Sequence, residues 1–336
     1  MDSSPARNLG LDLLRVTETV AIATGRWIGL GDRDGAHNEA THAMANALTN
    51  LEINGEIVIG EETRLGEHSP LDSGQKVGTG SGLICDVVVD PIDGTDLLVG
   101  GKPGAISLIG VTPRGTMWRP PSCAVYMDKI VVDRTAAQAL VPECIDAPAA
   151  WTLALVARAK GKEVRDLIVI ILDRPRHKDL IDEVRAAGAR IILRTEGDAE
   201  GALEAAIDEV GADILMGAGG VSEGVIAACA VKALGGGILA RLAPQSDEER
   251  RAILDAGEDP DPILTCDEII TSRDIYFVAT GITHNPLLMP VRYRRGLIET
   301  HSLLLRAITG TRRFVTTEHR LEFTERFSPI AFSEKS

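Results

Sequence analysis

The chain has 336 residues, 44% hydrophobic content and a formal net charge of −14, which is typical of a globular protein with one large domain or two modest ones. The acidic balance argues against a nucleic-acid partner, because phosphate backbones are bound by clustered Lys and Arg. No apolar stretch reaches the roughly 18 residues of a membrane span, and the N-terminus has no apolar signal region. Five scattered cysteines without metal-ligand spacing suit a reducing compartment. We therefore expect a cytoplasmic protein.

Apolar periodicity divides the chain into a mixed first half, residues 1–135, and a second half, residues 136–336, with regular strand–helix alternation. The predicted elements of the first half are helices at 8–28 and 38–51 and strands at 56–60, 87–89, 105–111 and 125–132. Those of the second half are helices at 150–159, 177–187, 198–210 and 222–234 and strands at 167–172, 190–193, 214–216, 275–279, 297–307 and 311–316. The alternation predicts an α/β fold with a parallel sheet in the second half.

The most informative segment is the end of the apolar strand Val87–Val89. Asp90, Pro91, Asp93, Gly94 and Thr95 follow within six residues, and the Asp-Pro and Asp-Gly steps predict a sharp turn. Two carboxylates and a hydroxyl are thereby placed at a strand terminus, and carboxylate oxygens suit hard cations such as Mg²⁺. The same residue types also form ordinary turns, so spacing alone leaves both interpretations open.

Three further loops are predicted to carry polar groups for a ligand. Gly29–His37 and Gly60–Thr63 are rich in oxygen ligands, and Gly217–Gly224 is a glycine-rich segment before a helix that could present backbone amides to an anion. Its glycines could equally permit close helix–sheet packing. The basic segment Asp173–His177 could clamp a phosphate through Arg174 or Arg176, or could simply be a solvated helix start.

Taken together, these motifs resemble the lithium-sensitive, metal-dependent phosphomonoesterases that include inositol monophosphatases and fructose-bisphosphatases. The second half is similar to class II fructose-1,6-bisphosphatases, the bacterial type, and the resemblance extends from about Asn8 to Leu321. The matching segments are Glu61, Asp90–Thr95, Ala105–Gly110, Tyr126–Lys129, Asp173–His177, Glu196–Asp198, Gly217–Gly224, Ala279–Thr283 and Glu318–Leu321.

The resemblance implies a layered α-β-α-β-α sandwich and hydrolysis of a sugar bisphosphate with Mg²⁺ or Mn²⁺. It implies metal binding by the carboxylates of Glu61, Asp90, Asp93 and Glu223, with the carbonyl of Ile92 as a further candidate. The resemblance also assigns catalysis to Thr95, Glu61 and Asp90: Thr95 would help position or deprotonate the attacking water, and Glu61 could take its proton. The residues implied in substrate binding are Gly94, Tyr126, Arg174, Arg176, Glu196, Asp198 and Arg33. A homo-oligomer, either a dimer or a tetramer, is also implied.

The sequence departs from the family pattern close to these positions. His37 stands where a metal-binding Asp is usual, so the metal preference has changed, one metal site is weakened, or His37 meets the substrate instead. The 62–71 loop differs from the family, and Glu196 replaces a common Asp. Fructose 1,6-bisphosphate is the default substrate, and a heptose or octose bisphosphate is the alternative. A second alternative is a non-catalytic protein that binds sugar phosphates.

Overall fold

A computed structural model describes residues 9–60, 69–208 and 210–320. The chain forms two compact units. Unit 1 contains the part up to Arg114, then Tyr276–Arg306 and the part from Thr311 onward, whereas unit 2 contains Gly115–Ile275 and Ala307–Gly310. A boundary at residue 135, as expected from the sequence, would assign Tyr276–Arg306 and the part from Thr311 onward to the second half. Strand pairing instead makes both segments part of unit 1.

Unit 1 contains a mixed sheet, eight-stranded within the described residues, with one layer of helices on it. Its helices are α1 (Leu9–Thr24), α2 (Arg33–Thr49) and α3 (Thr95–Val99). Its strands are β1 (Ile53–Ile59), β2 (Lys76–Val77), β3 (Leu83–Asp93), β4 (Ile106–Pro113), β11 (Tyr276–Gly281), β12 (Arg292–Arg294), β13 (Leu297–Arg306) and β14 (Thr311–Arg320). The strand order is β12-β13-β11-β4-β3-β1-β2, and β14 pairs with β13.

The core of unit 1 lies between this sheet and the helices α1 and α2. Apolar residues at helical spacing on α1, including Leu13 and Val20, are fully buried in it. Val87 and Val89 of β3 enter the same core. Buried hydroxyls also join α1 to the sheet, because Thr17 hydrogen bonds to Thr280 of β11 at 2.7 Å. The predicted first helix and the apolar strand are confirmed.

Unit 2 is a second mixed sheet, six-stranded within the described residues. Its strands are β5 (Tyr126–Val132), β6 (Ile168–Leu172), β7 (Arg190–Arg194), β8 (Ile214–Gly220), β9 (Gly237–Leu242) and β10 (Leu264–Thr265), in the order β10-β9-β5-β8-β6-β7. Its helices are α4 (Ala149–Lys160), α5 (Lys178–Ala186), α6 (Asp198–Ala206), α7 (Val221–Leu234), α8 (Asp247–Asp255) and α9 (Cys266–Ile269).

The predicted parallel sheet is only partly correct. Strands β7, β6 and β8 are parallel, whereas β5 runs antiparallel to both of its neighbours, β8 and β9. The strand–helix alternation in the sequence predicted the parallel strands and the helices that connect them. It did not predict β9, which begins directly after Gly235 and Gly236. The α/β fold class is confirmed, with two mixed sheets and packed helices.

Among the described residues, no helix has both the length and the apolar character needed to cross a bilayer. All five cysteines are free, and Cys85, Cys144 and Cys229 are buried, whereas Cys123 and Cys266 are partly exposed. Burial raises the pKa of the Cys85 thiol to about 12 and that of Cys266 to about 12, so neither thiol forms a reactive thiolate at neutral pH.

Candidate active site

The acidic turn of unit 1 is built on an irregularity in the pairing of β3 with β4. Asp90 pairs with Leu108 and Asp93 pairs with Ile106, so β3 carries one extra residue between these two positions. Pro91 lies inside this bulge, where a missing amide hydrogen is tolerated. Bulges redirect side chains next to functional sites. The bulge places both carboxylates at the strand end, with Asp90 only 4% and Asp93 only 5% exposed.

The turn itself is made by Gly94 and Thr95. Gly94 has φ +89°, a conformation that favours glycine, and α3 begins at the next residue. The Thr95 side chain is buried, and its hydroxyl donates a hydrogen bond to the carbonyl of Ile92 at 3.3 Å. The hydroxyl is therefore held within the turn that carries the two carboxylates, and its role towards the attacking water stays a prediction.

The N-terminus of α2 is attached to this turn. The structure starts this helix at Arg33 rather than at Asn38, with Asp32 as its N-cap accepting from the Gly35 amide at 2.9 Å. The guanidinium of Arg33 forms an ion pair with Asp96 of α3 at 2.8 Å. His37 lies one turn after Arg33 on the same helix face and is half-buried. Residues 33–37 of the predicted loop thus form the first turn of α2, whereas residues 29–32 precede the helix.

The chemistry of the donor set in this turn fits a hard divalent cation. Asp90 and Asp93 supply buried carboxylate oxygens, the ligands that Mg²⁺ and Mn²⁺ prefer. Glu61 of the predicted set lies outside the described residues, as do Glu62 and Thr63. Within residues 9–60, 69–208 and 210–320, no group of three His, Cys, Asp or Glu side chains has metal-binding geometry. The metal assignment therefore stays a prediction.

In unit 2, Arg176 is held in place by two contacts. Its guanidinium lies over the ring of Tyr126, 4.7 Å from the centroid, and its Nε and Nη2 both donate to the carbonyl of Ala218, the latter at 2.9 Å. Within the described residues it has no carboxylate partner, so its positive charge is not neutralised by an ion pair. Arg174 lies two residues earlier in the same loop.

His177, next to Arg176, fixes this loop to the sheet. Its Nε2 accepts a hydrogen bond from the Ala218 amide at 2.8 Å, so the proton is on Nδ1, which donates to the carbonyl of Leu172 at 2.7 Å. Burial lowers the pKa of His177 and favours this neutral form. A Cβ at Gly217, which has φ +118°, would stand 3.0 Å from the Nε2 of His177. The glycine leaves room for the ring.

A buried ion pair joins β5 to the start of α6. Lys129 is 1% exposed, and its ammonium group lies 2.5 Å from Asp198 and donates to the carbonyl of Gly220 at 3.3 Å. Asp198 is the second residue after Glu196, which is half-buried. Lys129 therefore links the predicted sugar-binding segment to the end of β8.

The glycine-rich segment is a strand end rather than a loop. Gly217–Gly220 belongs to β8 and pairs with Tyr126–Lys129 of β5, and α7 begins at Val221. A side chain at Gly219 would overlap Asp198, and one at Gly220 would overlap the carboxylate of Glu223. Glu223 also accepts a hydrogen bond from Ser222 at 2.7 Å. The glycines are therefore explained by close packing, and the phosphate-cradle interpretation has no support from this geometry.

A pocket of about 570 Å³ opens on the Tyr126–Asp128 side of β5, wholly within unit 2. The strand register places Ala218, Asp128 and Arg241 side by side across β8, β5 and β9. The pocket is lined by Asp128, Arg176, His177, Ala218, Arg241, Leu242, Ala243, Pro244, Gln245, Arg250 and Asp261. Sequence reasoning identified Arg176 but missed Asp128 and Arg241. The period-2 alternation of β5 could have suggested Asp128, whereas Arg241 required β9 to be recognised.

Comparisons with known proteins agree with the family expected from the motifs. The family model described as "Bacterial fructose-1,6-bisphosphatase, glpX-encoded" matches residues 7–319. The chain is 36% identical over 336 residues to the D-fructose 1,6-bisphosphatase class 2/sedoheptulose 1,7-bisphosphatase of Synechococcus sp. strain JA-2-3B'a(2-13), covering 93% of this chain and 95% of that protein. The same identity and coverage are found with the protein of that name from Synechococcus sp. strain JA-3-3Ab.

A third relative is D-fructose 1,6-bisphosphatase class 2/sedoheptulose 1,7-bisphosphatase 2 of Acaryochloris marina strain MBIC 11017. It is 32% identical over 342 residues, covering 95% of this chain and 97% of that protein. Both units are therefore spanned by each match. The chain belongs to the glpX-encoded bacterial fructose-1,6-bisphosphatase family.

Proposed function

We propose that this protein is a metal-dependent phosphatase that hydrolyses a terminal phosphate monoester of a sugar bisphosphate, with fructose 1,6-bisphosphate as the default substrate. The observation that carries the proposal is the family match over residues 7–319, combined with the acidic turn of β3. Phosphate monoesters hydrolyse very slowly without help, and catalysis consists mainly of positioning and charge neutralisation.

The acidic turn is the proposed site at which the phosphate ester is hydrolysed. A divalent cation bound there would supply charge neutralisation and lower the pKa of a water molecule. Asp90 and Asp93 would hold that cation, together with Glu61 and Glu223 as the resemblance implies. The amides of Gly94 and Thr95 would hold the phosphate. The Thr95 hydroxyl, which donates to the carbonyl of Ile92, would orient the attacking water, and Glu61 would accept its proton.

The pocket of unit 2 is the proposed binding site for the rest of the substrate. Arg176 brings a positive charge that no described carboxylate neutralises, and stacking on Tyr126 limits the motion of its guanidinium. A preorganised guanidinium binds phosphate oxygens in a fixed geometry and loses little entropy in doing so. Arg174, Glu196 and Asp198 are proposed as sugar contacts on the resemblance alone, since the lining of this pocket includes none of them.

The metal is proposed to be Mg²⁺ or Mn²⁺. His37 favours Mn²⁺ if its imidazole reaches the cation, because nitrogen is a poor ligand for Mg²⁺. A His37→Asp variant separates a role of His37 in the metal site from contact with the substrate. A shift of preference towards Mg²⁺ supports a ligand role, whereas an unchanged metal preference with altered substrate KM supports substrate contact.

Phosphate release from fructose 1,6-bisphosphate with Mg²⁺ or Mn²⁺ tests the proposal. We expect activity that chelation abolishes, and a loss of at least about 100-fold in kcat for Thr95→Ala and for Asp90→Asn, because each removes a group that acts in the transition state. The matched control is Thr112→Ala, which removes the same atoms from a buried threonine at the far end of β4. Equal losses in Thr95→Ala and Thr112→Ala would indicate a structural effect and contradict the assignment.

Two alternatives are distinguished by the same assay. The relatives' names include sedoheptulose 1,7-bisphosphatase, so heptose and octose bisphosphates belong in the substrate panel. Higher kcat/KM for one of them would make the longer sugar the substrate. Binding of sugar phosphates without turnover under either metal would instead support a non-catalytic protein. A cytoplasmic homo-oligomer remains our expectation.

A further inference from the structure

The wall of the unit 2 pocket that faces Arg176 contains a carboxylate without a protein partner. Asp128 is half-buried on β5, and its side chain forms no hydrogen bond or ion pair with the residues that the structure describes. It lies close enough to His177 and Arg241 to interact electrostatically with both. A half-buried charged acceptor is costly unless it is hydrogen bonded, which favours a ligand with hydroxyl donors at this position.

The two arginines beside Asp128 differ from Arg176. Arg241 forms two hydrogen bonds with Asp146, and Arg250 pairs with both oxygens of Asp261. Their charges are thus neutralised by carboxylates, whereas the polar and ring contacts of Arg176 within the described residues are to a carbonyl and an aromatic ring. One end of the pocket therefore suits an anion, and the wall around Asp128 presents mixed donors and acceptors, which suit neutral hydroxyl groups.

The volume of the pocket also favours a ligand that has hydroxyl groups in addition to a phosphate. A pocket of about 570 Å³ lies in the range of roughly 300–1,000 Å³ found for sites that bury a whole small molecule. A single phosphate on Arg176 would leave much of this space unfilled. The remaining space is bordered by the polar side chains of Asp128, Arg241 and Gln245.

We propose that Asp128 is a specificity residue that accepts hydrogen bonds from the hydroxyl groups of the substrate's carbon chain, next to the phosphate held by Arg176. The inference rests on the proposed function. It identifies the ligand class of the pocket as a phosphorylated polyhydroxy chain. Discrimination between sugars of different length then comes from the wall formed by Asp128, Arg241 and Gln245.

The test measures hydrolysis by wild type, Asp128→Ala and Asp128→Asn. The substrates are fructose 1,6-bisphosphate, sedoheptulose 1,7-bisphosphate and p-nitrophenyl phosphate, which is a phosphate monoester without a hydroxyl chain. We expect kcat/KM of Asp128→Ala to fall at least about tenfold for the bisphosphates, mainly through KM, because hydrogen bonds to a charged group are lost. Asp128→Asn should fall less, since its amide oxygen still accepts. Hydrolysis of p-nitrophenyl phosphate should stay within about twofold of wild type.

A second measurement separates this inference from the proposed function. Binding of fructose 6-phosphate and of inorganic phosphate is measured by calorimetry, with Asp182→Asn, an exposed carboxylate on α5, as the control. Asp128→Ala should weaken fructose 6-phosphate at least about tenfold and leave inorganic phosphate unchanged. Equal losses for all ligands, or no loss for any, would overturn the inference. A wild type that binds fructose 6-phosphate through Asp128 but hydrolyses no bisphosphate would refute only the proposed function.

Discussion

Replacing Lys129 by Met tests whether the buried ion pair of unit 2 stabilises the fold around the predicted sugar-binding segment. The lysine side chain is fully buried, and its ammonium group contacts Asp198 at 2.5 Å and the carbonyl of Gly220 at 3.3 Å. Methionine retains most of the aliphatic stem, so the change removes the charge and little packing. The Asp198 carboxylate, with a side chain 8% exposed, is then left without its cation.

The expected cost follows from these contacts. Removing one partner of a buried ion pair destabilises a protein by about 3–5 kcal/mol, because an uncompensated charge stays buried. The lost hydrogen bond to Gly220 adds about 1 kcal/mol. We therefore expect Lys129→Met to lower the free energy of unfolding by about 4–6 kcal/mol, a large part of the roughly 5–15 kcal/mol that keeps a domain folded.

Urea unfolding followed by tryptophan fluorescence measures this change. Trp118 and Trp151 belong to unit 2 and Trp27 to unit 1, so a Trp27→Phe background reports on unit 2 alone. The double variant Lys129→Met/Asp198→Asn removes both charges, and we expect it to be more stable than the sum of the two single effects predicts, by at least about 2 kcal/mol. Additive effects would show that the two groups do not interact and would refute the assignment of Lys129.

Three further predictions concern glycine packing and the pH dependence of stability. Gly219→Ala should lower the unfolding free energy by about 1–3 kcal/mol in the same assay, since the new methyl group would overlap Asp198 and stand 2.7 Å from the Lys129 amine. Burial lowers the pKa of His177, so the unfolded state binds more protons than the folded state at low pH. The stability that the neutral ring contributes is therefore fully present above about pH 6.5 and is lost as the pH falls below it. In His177→Gln, this loss of stability between pH 7 and pH 5 should be smaller, as measured by urea titrations. Burial raises the pKa of Glu18, so its destabilising effect grows as pH rises above about 4.5, and thermal unfolding of Glu18→Gln should show a larger gain over wild type at pH 7 than at pH 4.5.

Local patterns predicted the elements that depend on local contacts. The apolar run and the Asp-Pro and Asp-Gly steps located β3 and its turn, and the spacing of α1 gave its buried face. The start of α2 was misplaced because Gly29–His37 was predicted to be a loop. Gly35 lies inside the first turn, where a Cβ would stand 2.5 Å from Trp27, so packing rather than a turn requires this glycine.

Long-range pairing could not be predicted from such patterns. β11 lies between β4 and β13 and returns the chain to unit 1, a topology that depends on contacts between residues more than 160 positions apart. The bulge between Asp90 and Asp93 is likewise a property of the pairing with β4. The sequence indicated which residues form the acidic turn, and the sheet determined how deeply they are buried.

The sequence identified the motif Tyr126–Lys129 only as part of a family pattern. The strand geometry divides its four residues into two alternating pairs. Successive side chains of a strand point to opposite faces. Asp128 lines the pocket and Tyr126 stacks with its lining residue Arg176, while Met127 and Lys129 pack beside Gly224 of α7. The even positions should therefore control KM with little effect on stability, and the odd positions should control stability. A variant such as Asp128→Asn that unfolds the protein as severely as Lys129→Met would contradict this separation. Binding and stability are thus encoded in one strand at alternating positions.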